Sequence, residues 1–414
     1  MSSVVISGDI SGTVTLDAPA TAGTTVLTLP STSGTVLTSA SATVGANGIT
    51  FSDGSTQTAA ASPFGLKNRI INGDMVIDQR NNGASVNTTT VGAVTYLVDR
   101  FFYFVSATSK FTAQRNAGSV TPPAGFTNYL GITSSSAYTV GTNEQFVIGQ
   151  RIEGFNTADL GFGTANARTV TLSFWVRSSL TGTFGGTLNN TDYNRTYPFT
   201  YTISSANTWE QKSITIPGDT SGTWNTTNGN GIALTLGLGC GSGISAAAGS
   251  WGTSGAVSAT GAVSVVGTNG ATFYITGVQL ERNTTATPFE WIPYGLELAL
   301  CQRYCYAIRA SASAYTRYGI GECYTTLRLE SYIYLPVNMR IVPSLTTTGT
   351  ASNYAVYSAN VVTPLSAVPV MGGGSSSQVL QVDSTVASGL TAGRAGQLLS
   401  DNNTTSFLIF SAEL

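Results

Sequence analysis

The sequence predicts an all-β fold, and three observations indicate it. Glycine, serine, threonine, alanine and asparagine dominate the composition, with 47 glycines in 414 residues, a mixture that suits short strands joined by tight turns. Apolar and polar residues alternate through many short runs, which is the period of a half-buried strand. Helical spacing of apolar residues marks one stretch, residues 296–309. We therefore expect β domains with one short helix between them.

Residues 1–62 are predicted to form a thin, oligomeric β stalk. Three segments resemble one another: residues 11–16, 23–29 and 33–39, with the sequences SGTVTL, GTTVLTL and SGTVLTS. Each has the length of one short strand with a glycine at or near its start. Strands this short cannot bury a face within so small a monomer, so pairing with other copies would satisfy them.

Residues 63–295 are predicted to form a jelly-roll β-sandwich, because alternating runs recur there at the spacing of an antiparallel sandwich. In the run TLSFWVRSS, Leu172, Phe174 and Val176 fall on one face and Trp175 on the other. Within the same region, the uncharged stretch GCGSGISAAAGSWGTSGAVSATGAVSVVGTNG predicts a long loop or a set of extended ribbons. Such a segment could be ordered only against a neighbour.

Residues 296–309, LELALCQRYCYAIR, are predicted to form a linking helix, because Leu298, Cys301, Cys305 and Ile308 recur at helical spacing. Beyond it, residues 310–414 return to alternating runs, and we expect a second, smaller β domain there. Its final apolar run, FLIF, indicates a last strand tied into a sheet.

Charge and composition exclude several classes of function. The 18 Lys and Arg against 20 Asp and Glu give a net charge of -2, so no broad basic face can neutralise nucleic acid or an anionic membrane. Histidine is absent, which removes the usual general base, the commonest metal ligand and the standard triad. The four cysteines lack CxxC spacing and are interpreted as small buried hydrophobes. We expect no metal, no cofactor, no membrane insertion, and folding in a cytoplasm.

The segment NRIINGDMVIDQR, residues 68–80, concentrates charge in a chain that is only 9% charged. Asp74 and Asp78 lie four residues apart, and glycosidases use a pair of carboxylates for catalysis. The structural alternative is a junction, in which Asn72 and Gly73 turn the chain and the two carboxylates share one face of an extended segment. Arg69 and Arg80 would pair with those carboxylates and fix the register. We favour the structural role, and extend it to Asp99 and Arg100, which interrupt an aromatic run.

Aromatic side chains are the better candidates for ligand binding, because sugar CH faces stack on Trp and Tyr while amide and charged groups hold hydroxyls. They cluster in two places, the sandwich loops and the region after the helix. The candidates are Trp209, Trp224 and Trp251 in the first place and Tyr315, Tyr318, Tyr324, Tyr332 and Tyr334 in the second. For each one alone, packing in a core or a subunit interface is the alternative.

Taken together, NRIINGDMVIDQRNNG, TYLVDRFFYF, GQRIEG, FYITGVQLERNTTATPFEW and LELALCQRYCY resemble a group of phage tail fibre and receptor-binding proteins. Those proteins share the order N-x-I-I-N-G-D-M-x-I-x-Q-R, Y-x-x-D-R, Q-x-I-E-G and C-Q-R-Y. Phe101 follows the Asp-Arg pair where Trp is common. The resemblance covers about residues 66–306, and ITFSDGSTQTAA is similar to a segment of phage fibre stalks, with Ser55 in place of the usual Thr. Residues 310–414 resemble nothing that we can name.

The resemblance implies a homotrimeric virion protein, assembled in the host cytoplasm and carried on the tail. Residues 1–40 would dock on tail, baseplate or adaptor proteins, followed by a carbohydrate-binding-module-like sandwich. The distal domain would contact host surface polysaccharide or an outer-membrane receptor without catalysis. Two alternatives stay open: a head decoration or other structural virion protein, and a glycan depolymerase using acids such as Asp74, Asp78 or Asp99.

Overall fold

The computed structural model describes residues 3–7, 13–17, 42–45, 48–51, 56–57, 66–310 and 314–414. The chain divides into two compact units, Met1–Pro63 and Phe64–Leu414. In the first unit, β1 (Ser3–Ser7) pairs antiparallel with β2 (Thr13–Asp17), and β3 (Ala42–Gly45), β4 (Gly48–Phe51) and β5 (Thr56–Gln57) form a three-stranded sheet. The first predicted stalk segment, residues 11–16, overlaps β2. The other two, residues 23–29 and 33–39, lie outside the described residues.

The sandwich of the second unit is built from two six-stranded antiparallel sheets, as the sequence predicted. The strands of this region are, in chain order, β6 (Val86–Asn87), β7 (Thr95–Tyr96), β8 (Phe101–Val105), β9 (Phe111–Arg115), β10 (Leu130–Ser134), β11 (Gln145–Glu153), β12 (Val170–Ser178), β13 (Gly182–Asn189), β14 (Thr196–Ile203), β15 (Glu210–Ile216), β16 (Asn230–Cys240), β17 (Ser245–Ala246), β18 (Ser258–Ala259) and β19 (Thr272–Glu281). Of these, β17 and β18 pair with each other and belong to neither six-stranded sheet. One sheet has the order β15-β12-β19-β10-β9-β6 and the other β14-β13-β16-β11-β8-β7.

The main core lies between these two sheets, because each strand buries one face. In β12, Leu172, Phe174 and Val176 are buried while Trp175 is half-buried, which confirms the predicted alternation. Short 3-10 turns accompany the strands of the second unit at Ala117–Ser119, Gly154–Asn156, Ala158–Leu160, Ser242–Ile244 and Ala351–Asn353.

The glycine-rich stretch of residues 239–270 packs on its own sandwich. β17 and β18 pair in parallel, and Val257 lies in a cluster with Phe102 and Val147 on the outer face of the second sheet. Gly237 makes this approach possible, since a Cβ there would lie 2.5 Å from the Ser258 hydroxyl. The predicted loop therefore covers part of one sheet and leaves the rest open.

The linking helix is shorter than predicted. Helix α1 spans Tyr294–Gln302, and strand β20 (Cys305–Arg309) begins three residues later. The prediction of a helix over residues 296–309 is right for Leu298 and Cys301 and wrong for Cys305 and Ile308. β20 pairs with β29 (Phe407–Ser411), about a hundred residues along the chain, and such pairing overrides local periodicity.

The remaining strands form two further sheets, and β20 is the first strand of the smaller one in chain order. Between β20 and β29 lie β21 (Arg317–Cys323), β22 (Arg328–Tyr334), β23 (Ser344–Thr347), β24 (Tyr354–Ser358), β25 (Val361–Pro364), β26 (Val370–Met371), β27 (Val379–Thr385) and β28 (Ala395–Ser400). The sheet orders are β20-β29-β23 and β25-β24-β28-β21-β22-β27-β26. The apolar run near residue 410 is the central strand of the smaller sheet, as predicted.

Three of the four cysteines, Cys301, Cys305 and Cys323, are buried and unpaired, and Cys240 is half-buried. Within the described residues, no cluster of carboxylates and thiols has an arrangement suited to a metal ion. Nor does any described helix have the length and apolar character needed to cross a membrane.

Candidate functional site

The turn predicted at Asn72 and Gly73 is present and buried. Asn72 stands at φ 60°, a left-handed conformation that Asn tolerates better than most residues. Its side chain accepts the Ile77 N–H at 2.8 Å and donates to the carbonyls of Ile77 at 2.8 Å and Asp99 at 2.9 Å. Gly73 is required because a Cβ there would lie 2.2 Å from the Val278 carbonyl oxygen.

The segment around this turn is not the extended strand that the sequence predicted. Ile70, Ile71, Met75 and Ile77 are buried and anchor it. Met75, however, stands at φ 61°, which breaks the alternation that would have placed Asp74 and Asp78 on one face. The prediction of a shared face is therefore wrong.

The predicted ion pairing within this segment is also wrong, because both arginines pair with acids outside it. Arg69 pairs with Asp159 at 2.7 Å, and Arg80 pairs with Glu413 at 3.1 Å. Asp78 instead accepts the backbone N–H groups of Asn81 at 3.1 Å and Gly83 at 2.7 Å. For Asp74, burial raises the pKa of its carboxyl.

Three of the motif segments meet at this turn. The Gln150 side chain accepts from the Ile71 N–H at 2.9 Å and donates to the Ile71 carbonyl at 2.8 Å. Asp99 accepts the backbone N–H of Gln79 at 2.7 Å and also its side-chain amide, which in turn donates to the Cys305 carbonyl at 2.7 Å. Hydrogen bonds from residues 68–80, which form no strand, thus connect the sandwich to β20.

Arg100 joins the fourth motif segment to the other three. Its guanidinium is buried, lies 3.6 Å from the ring centroid of Tyr304, and pairs with Glu413. The Tyr304 hydroxyl donates to Glu153, which also accepts the Arg303 Nε–H at 2.8 Å. We call this set of buried contacts the junction network; it is centred on Asn72, Gln79, Asp99, Arg100, Gln150, Glu153, Arg303, Tyr304 and Glu413.

The junction network connects the sandwich to α1 and to the C-terminal sheets. The structural role expected for Asp99 and Arg100 agrees with their burial and pairing. A junction with residues 1–62, which the sequence also suggested, falls outside the described residues. The junction that the structure shows is the one on the C-terminal side of the sandwich.

The network does not offer a substrate a reacting carboxylate. Asp99 is fully buried, and burial raises its pKa to about 6. Asp74 faces Glu290 and Glu297 across a cavity of about 10 Å³, room for a single water at most.

The predicted aromatic ligands separate into packed and exposed residues. Trp224 is buried against Phe162 and Trp251, at ring-centroid distances of 4.9 and 5.5 Å, and its N–H donates to the Ser221 carbonyl. Tyr318 is buried with its hydroxyl 2.7 Å from the Ser406 hydroxyl. Both therefore correct the prediction, since neither offers a free ring face to a sugar.

Trp251 and Trp209 are half-buried and lie in different clusters. The Trp251 N–H donates to the Pro217 carbonyl at 2.7 Å, whereas Trp209 rests on Tyr129 at 5.6 Å and donates to the Thr121 carbonyl. Tyr315 and Tyr324 are exposed in the C-terminal domain. The structure therefore brings the three tryptophans to no common surface.

A continuous aromatic surface does exist on the seven-stranded sheet. One row crosses six neighbouring strands in direct register, with one residue on each: Val362, Tyr357, Gln397, Ile320, Tyr332 and Gln381. Ile320 is 65% exposed and Tyr332 39% exposed. Tyr334 follows on the same face of β22 and is 78% exposed. We call these residues, other than the buried Gln381 and together with the adjoining Tyr324, the exposed sheet face.

Polar groups flank these rings. Glu322, Glu330 and Asp383 form the next outward row, and Arg328 pairs with Glu330 at 2.6 Å while lying 4.7 Å from the Tyr324 ring centroid. Gln381 is fixed by donating to Asp383 at 2.7 Å. Sequence reasoning found Tyr324, Tyr332 and Tyr334 but missed Ile320, Tyr357 and both glutamines, because their alignment exists only in the pairing of distant strands.

The fold and these surfaces define an all-β protein with a jelly-roll-like sandwich and a second β domain. No protein-family model matches the sequence, and no curated protein matches it significantly. Several solved structures align with part of the chain. The enzymatically active domain of bacteriophage CBA120 tailspike protein 4 aligns at 12% identity and a TM-score of 0.26, covering 52% of this chain and 21% of that one.

Two smaller proteins are similar over nearly their whole length. A putative sugar binding protein from Bacteroides thetaiotaomicron aligns at 14% identity and a TM-score of 0.29, covering 52% of this chain and 100% of that one. A family 11 carbohydrate-binding module from Clostridium thermocellum aligns at 11% identity and a TM-score of 0.24, covering 48% and 97%. Likeness at this level concerns the β architecture alone.

Proposed function

We propose that the chain is a phage tail fibre protein that adheres to glycan on the host surface through its β domains. The observation that carries the adhesion is the exposed sheet face, where Tyr332, Tyr334 and Ile320 stand in open solvent. A soluble domain rarely leaves such side chains together unless they meet a partner. The order of the four motifs supports the tail-fibre part of the proposal.

The chemistry of this face favours a sugar polymer over a protein partner. Tyrosine rings stack on the CH faces of sugar rings, and the neighbouring amides and carboxylates accept or donate to hydroxyls. The face is flat and crosses most of the sheet, so a polymer can lie across it at several points. Each contact is weak, and three copies in a trimer would raise the overall affinity through effective concentration.

Adhesion without cleavage is part of the proposal. The carboxylates that the sequence suggested for catalysis are occupied or enclosed: Asp78 holds backbone N–H groups, Asp99 is buried, and the cavity beside Asp74 measures about 10 Å³. Asp78 and Asp99 are thus buried, and the cavity beside the half-buried Asp74 is too small for a sugar ring.

Adsorption to host envelope polysaccharide tests the proposal. We expect the purified protein to bind the polysaccharide and to release no reducing ends. Tyr332→Ala combined with Tyr334→Ala should reduce binding at least tenfold. Tyr294→Ala is the matched control, because Tyr294 is 60% exposed but lies on α1. Equal binding by the double variant, or release of reducing ends, would contradict the proposal.

The position of the protein in the particle tests the tail-fibre part separately. Antibody labelling in electron micrographs of virions should place it at the tail, in multiples of three copies. Labelling across the capsid would instead identify a head decoration protein.

A further inference from the structure

A second surface, on the sandwich rather than on the seven-stranded sheet, combines a cavity with polar groups that lack hydrogen-bond partners. The outer face of the second sandwich sheet holds an open groove of about 230 Å³ beside the covering loop. Phe102 and Phe104 form its floor with Val147, and Tyr193 and Val257 stand at its side. The groove is smaller than the roughly 300–1,000 Å³ sites of drug-sized ligands, which suits one or two sugar rings.

Side chains alternate between the two faces of β11, and this alternation places a polar side chain at each end of the groove. Gln145, Val147 and Arg151 point to the same side of the sheet, with Gly149 between the last two. Position 149 carries no side chain, and a Cβ there would lie 2.0 Å from the Leu234 carbonyl oxygen. The Phe102 ring beneath it is buried.

Three polar groups in the groove lack partners. The Arg151 guanidinium donates from Nη1 to the Leu414 backbone oxygen at 2.8 Å, and its Nε has no acceptor within the described residues. The side-chain amide of Gln145 and the hydroxyl of Tyr193 likewise make no hydrogen bond to any described residue, although both line the groove. Tyr193 also stands at φ 55°, a strained conformation of the kind that occurs at binding sites.

The groove is electropositive. Arg151 is the one charged side chain among the described residues that line it. Three other arginines, Arg80, Arg100 and Arg340, donate to the side chain or backbone of Glu413, next to the Leu414 oxygen that Arg151 holds. The single guanidinium among the described lining residues favours an anion.

We infer that this groove is a second glycan site, selective for a sugar that carries a carboxylate. The carboxylate would pair with Arg151, since guanidinium and carboxylate match in geometry. The CH face of the sugar ring lies on Phe104, and the ring hydroxyls bond to Gln145 and Tyr193. This inference rests on the proposed function in assuming a glycan ligand, but it assigns a different surface and a ligand class.

Ligand-observed NMR on the full chain tests it with defined probes. Glucuronate, galacturonate and N-acetylneuraminate are titrated against glucose, galactose and N-acetylglucosamine. At least one acidic sugar should bind tenfold more tightly than every neutral one. Arg151→Gln should remove that preference, whereas Arg151→Lys, which keeps the charge but not the planar fork, should keep the preference at lower affinity.

Two controls separate the groove from general effects. Arg177→Gln is the matched variant, because Arg177 packs on the Tyr274 ring at 5.5 Å on the other sheet, as Arg151 does on Phe102 at 5.7 Å. It should bind like the wild type. Phe104→Leu should weaken every sugar severalfold while keeping the preference for acidic ones, and it serves if Arg151→Gln does not fold.

Several outcomes would overturn the inference. They are equal binding of acidic and neutral sugars, no binding of either, and displacement of the acidic sugar by acetate at the same concentration. If polysaccharide adsorption through Tyr332 and Tyr334 persists in those cases, the proposed function stands and only this site fails. If the wild-type protein did not adsorb to the polysaccharide, both the proposed function and this site would be contradicted.

Discussion

The junction network and the exposed sheet face use opposite chemistry for opposite purposes. In the network, charged side chains such as Arg100 and Asp99 are buried, paired and distant from solvent. On the exposed sheet face the large side chains are aromatic or aliphatic, and the charges beside them are accessible to water. The comparison teaches that scarce charge in the junction network holds the sandwich and the C-terminal sheets together, whereas the exposed sheet face presents mainly rings and amides to solvent.

The strongest test of this contrast removes a buried charge. Arg100→Ala leaves Glu413 in the interior with only Arg80 as a partner and takes the cation from the Tyr304 ring. Breaking a buried pair in this way costs about 3–5 kcal/mol. We expect that loss in the free energy of unfolding, measured by urea titration.

The matched change on the exposed sheet face is Arg328→Ala. Arg328 pairs with Glu330 at 2.6 Å but its side chain is 38% exposed, and surface pairs are worth about 0.2–1 kcal/mol. The contrast between the two regions would collapse if both arginine variants lost similar stability.

A second test concerns the turn that begins the network. Asn72→Ala removes three side-chain hydrogen bonds from a buried site and places alanine at a positive φ, so we expect a loss of about 3 kcal/mol. Asn72→Gly accepts the same φ without strain and should recover about 1 kcal/mol of it. Calorimetric unfolding of both variants measures the two contributions, and equal stability of Ala and Gly would show that backbone strain plays no part.

The pH dependence of stability gives a third test. Glu297 accepts the Asn72 N–H in the network, and burial raises its pKa from 4.5 to about 7. A raised pKa means that the folded protein binds the proton more tightly than the unfolded chain does. The stability due to this proton is complete below about pH 4.5 and is lost as the pH rises through 7.

Glu297→Gln should therefore flatten the stability curve. The wild type should lose on the order of 2–3 kcal/mol more than this variant between pH 5 and pH 8, in denaturant titrations at each pH. Glu322→Gln, on the exposed sheet, is the control and should follow the wild type. Parallel curves for wild type and Glu297→Gln would show that this carboxyl does not titrate in that range.

The sequence predicts those elements of the fold whose conformation depends on residues close by in the chain. Alternation in residues 171–179 places Phe174 in the core, and the Asn-Gly pair at residues 72 and 73 marks a turn without reference to anything distant. The end of α1 was misjudged because β20 owes its conformation to β29, which local spacing cannot reveal.

The site residues divide in the same way. Exposed tyrosines were found because aromatic residues cluster in the sequence, but Trp224 and Tyr318 have the same composition around them and are buried. Arg69 pairs with Asp159, ninety residues along the chain, and no local pattern in the sequence favours that partner over Asp74. The row from Val362 to Gln381 joins strands in the order 362, 357, 397, 320, 332, 381, and no one-dimensional pattern contains it.

The smallest expected effect on stability is the most informative about function. Tyr334 is 78% exposed, so Tyr334→Ser should change the free energy of unfolding by less than about 0.5 kcal/mol. Its effect on adsorption to host polysaccharide should be several-fold, because the ring is free to stack on a sugar. A variant that is as stable as the wild type yet adsorbs poorly would separate recognition from folding on this face. If Tyr334→Ser instead lost stability without losing adsorption, the exposed sheet face would belong with the junction network, as a surface that holds copies or domains together.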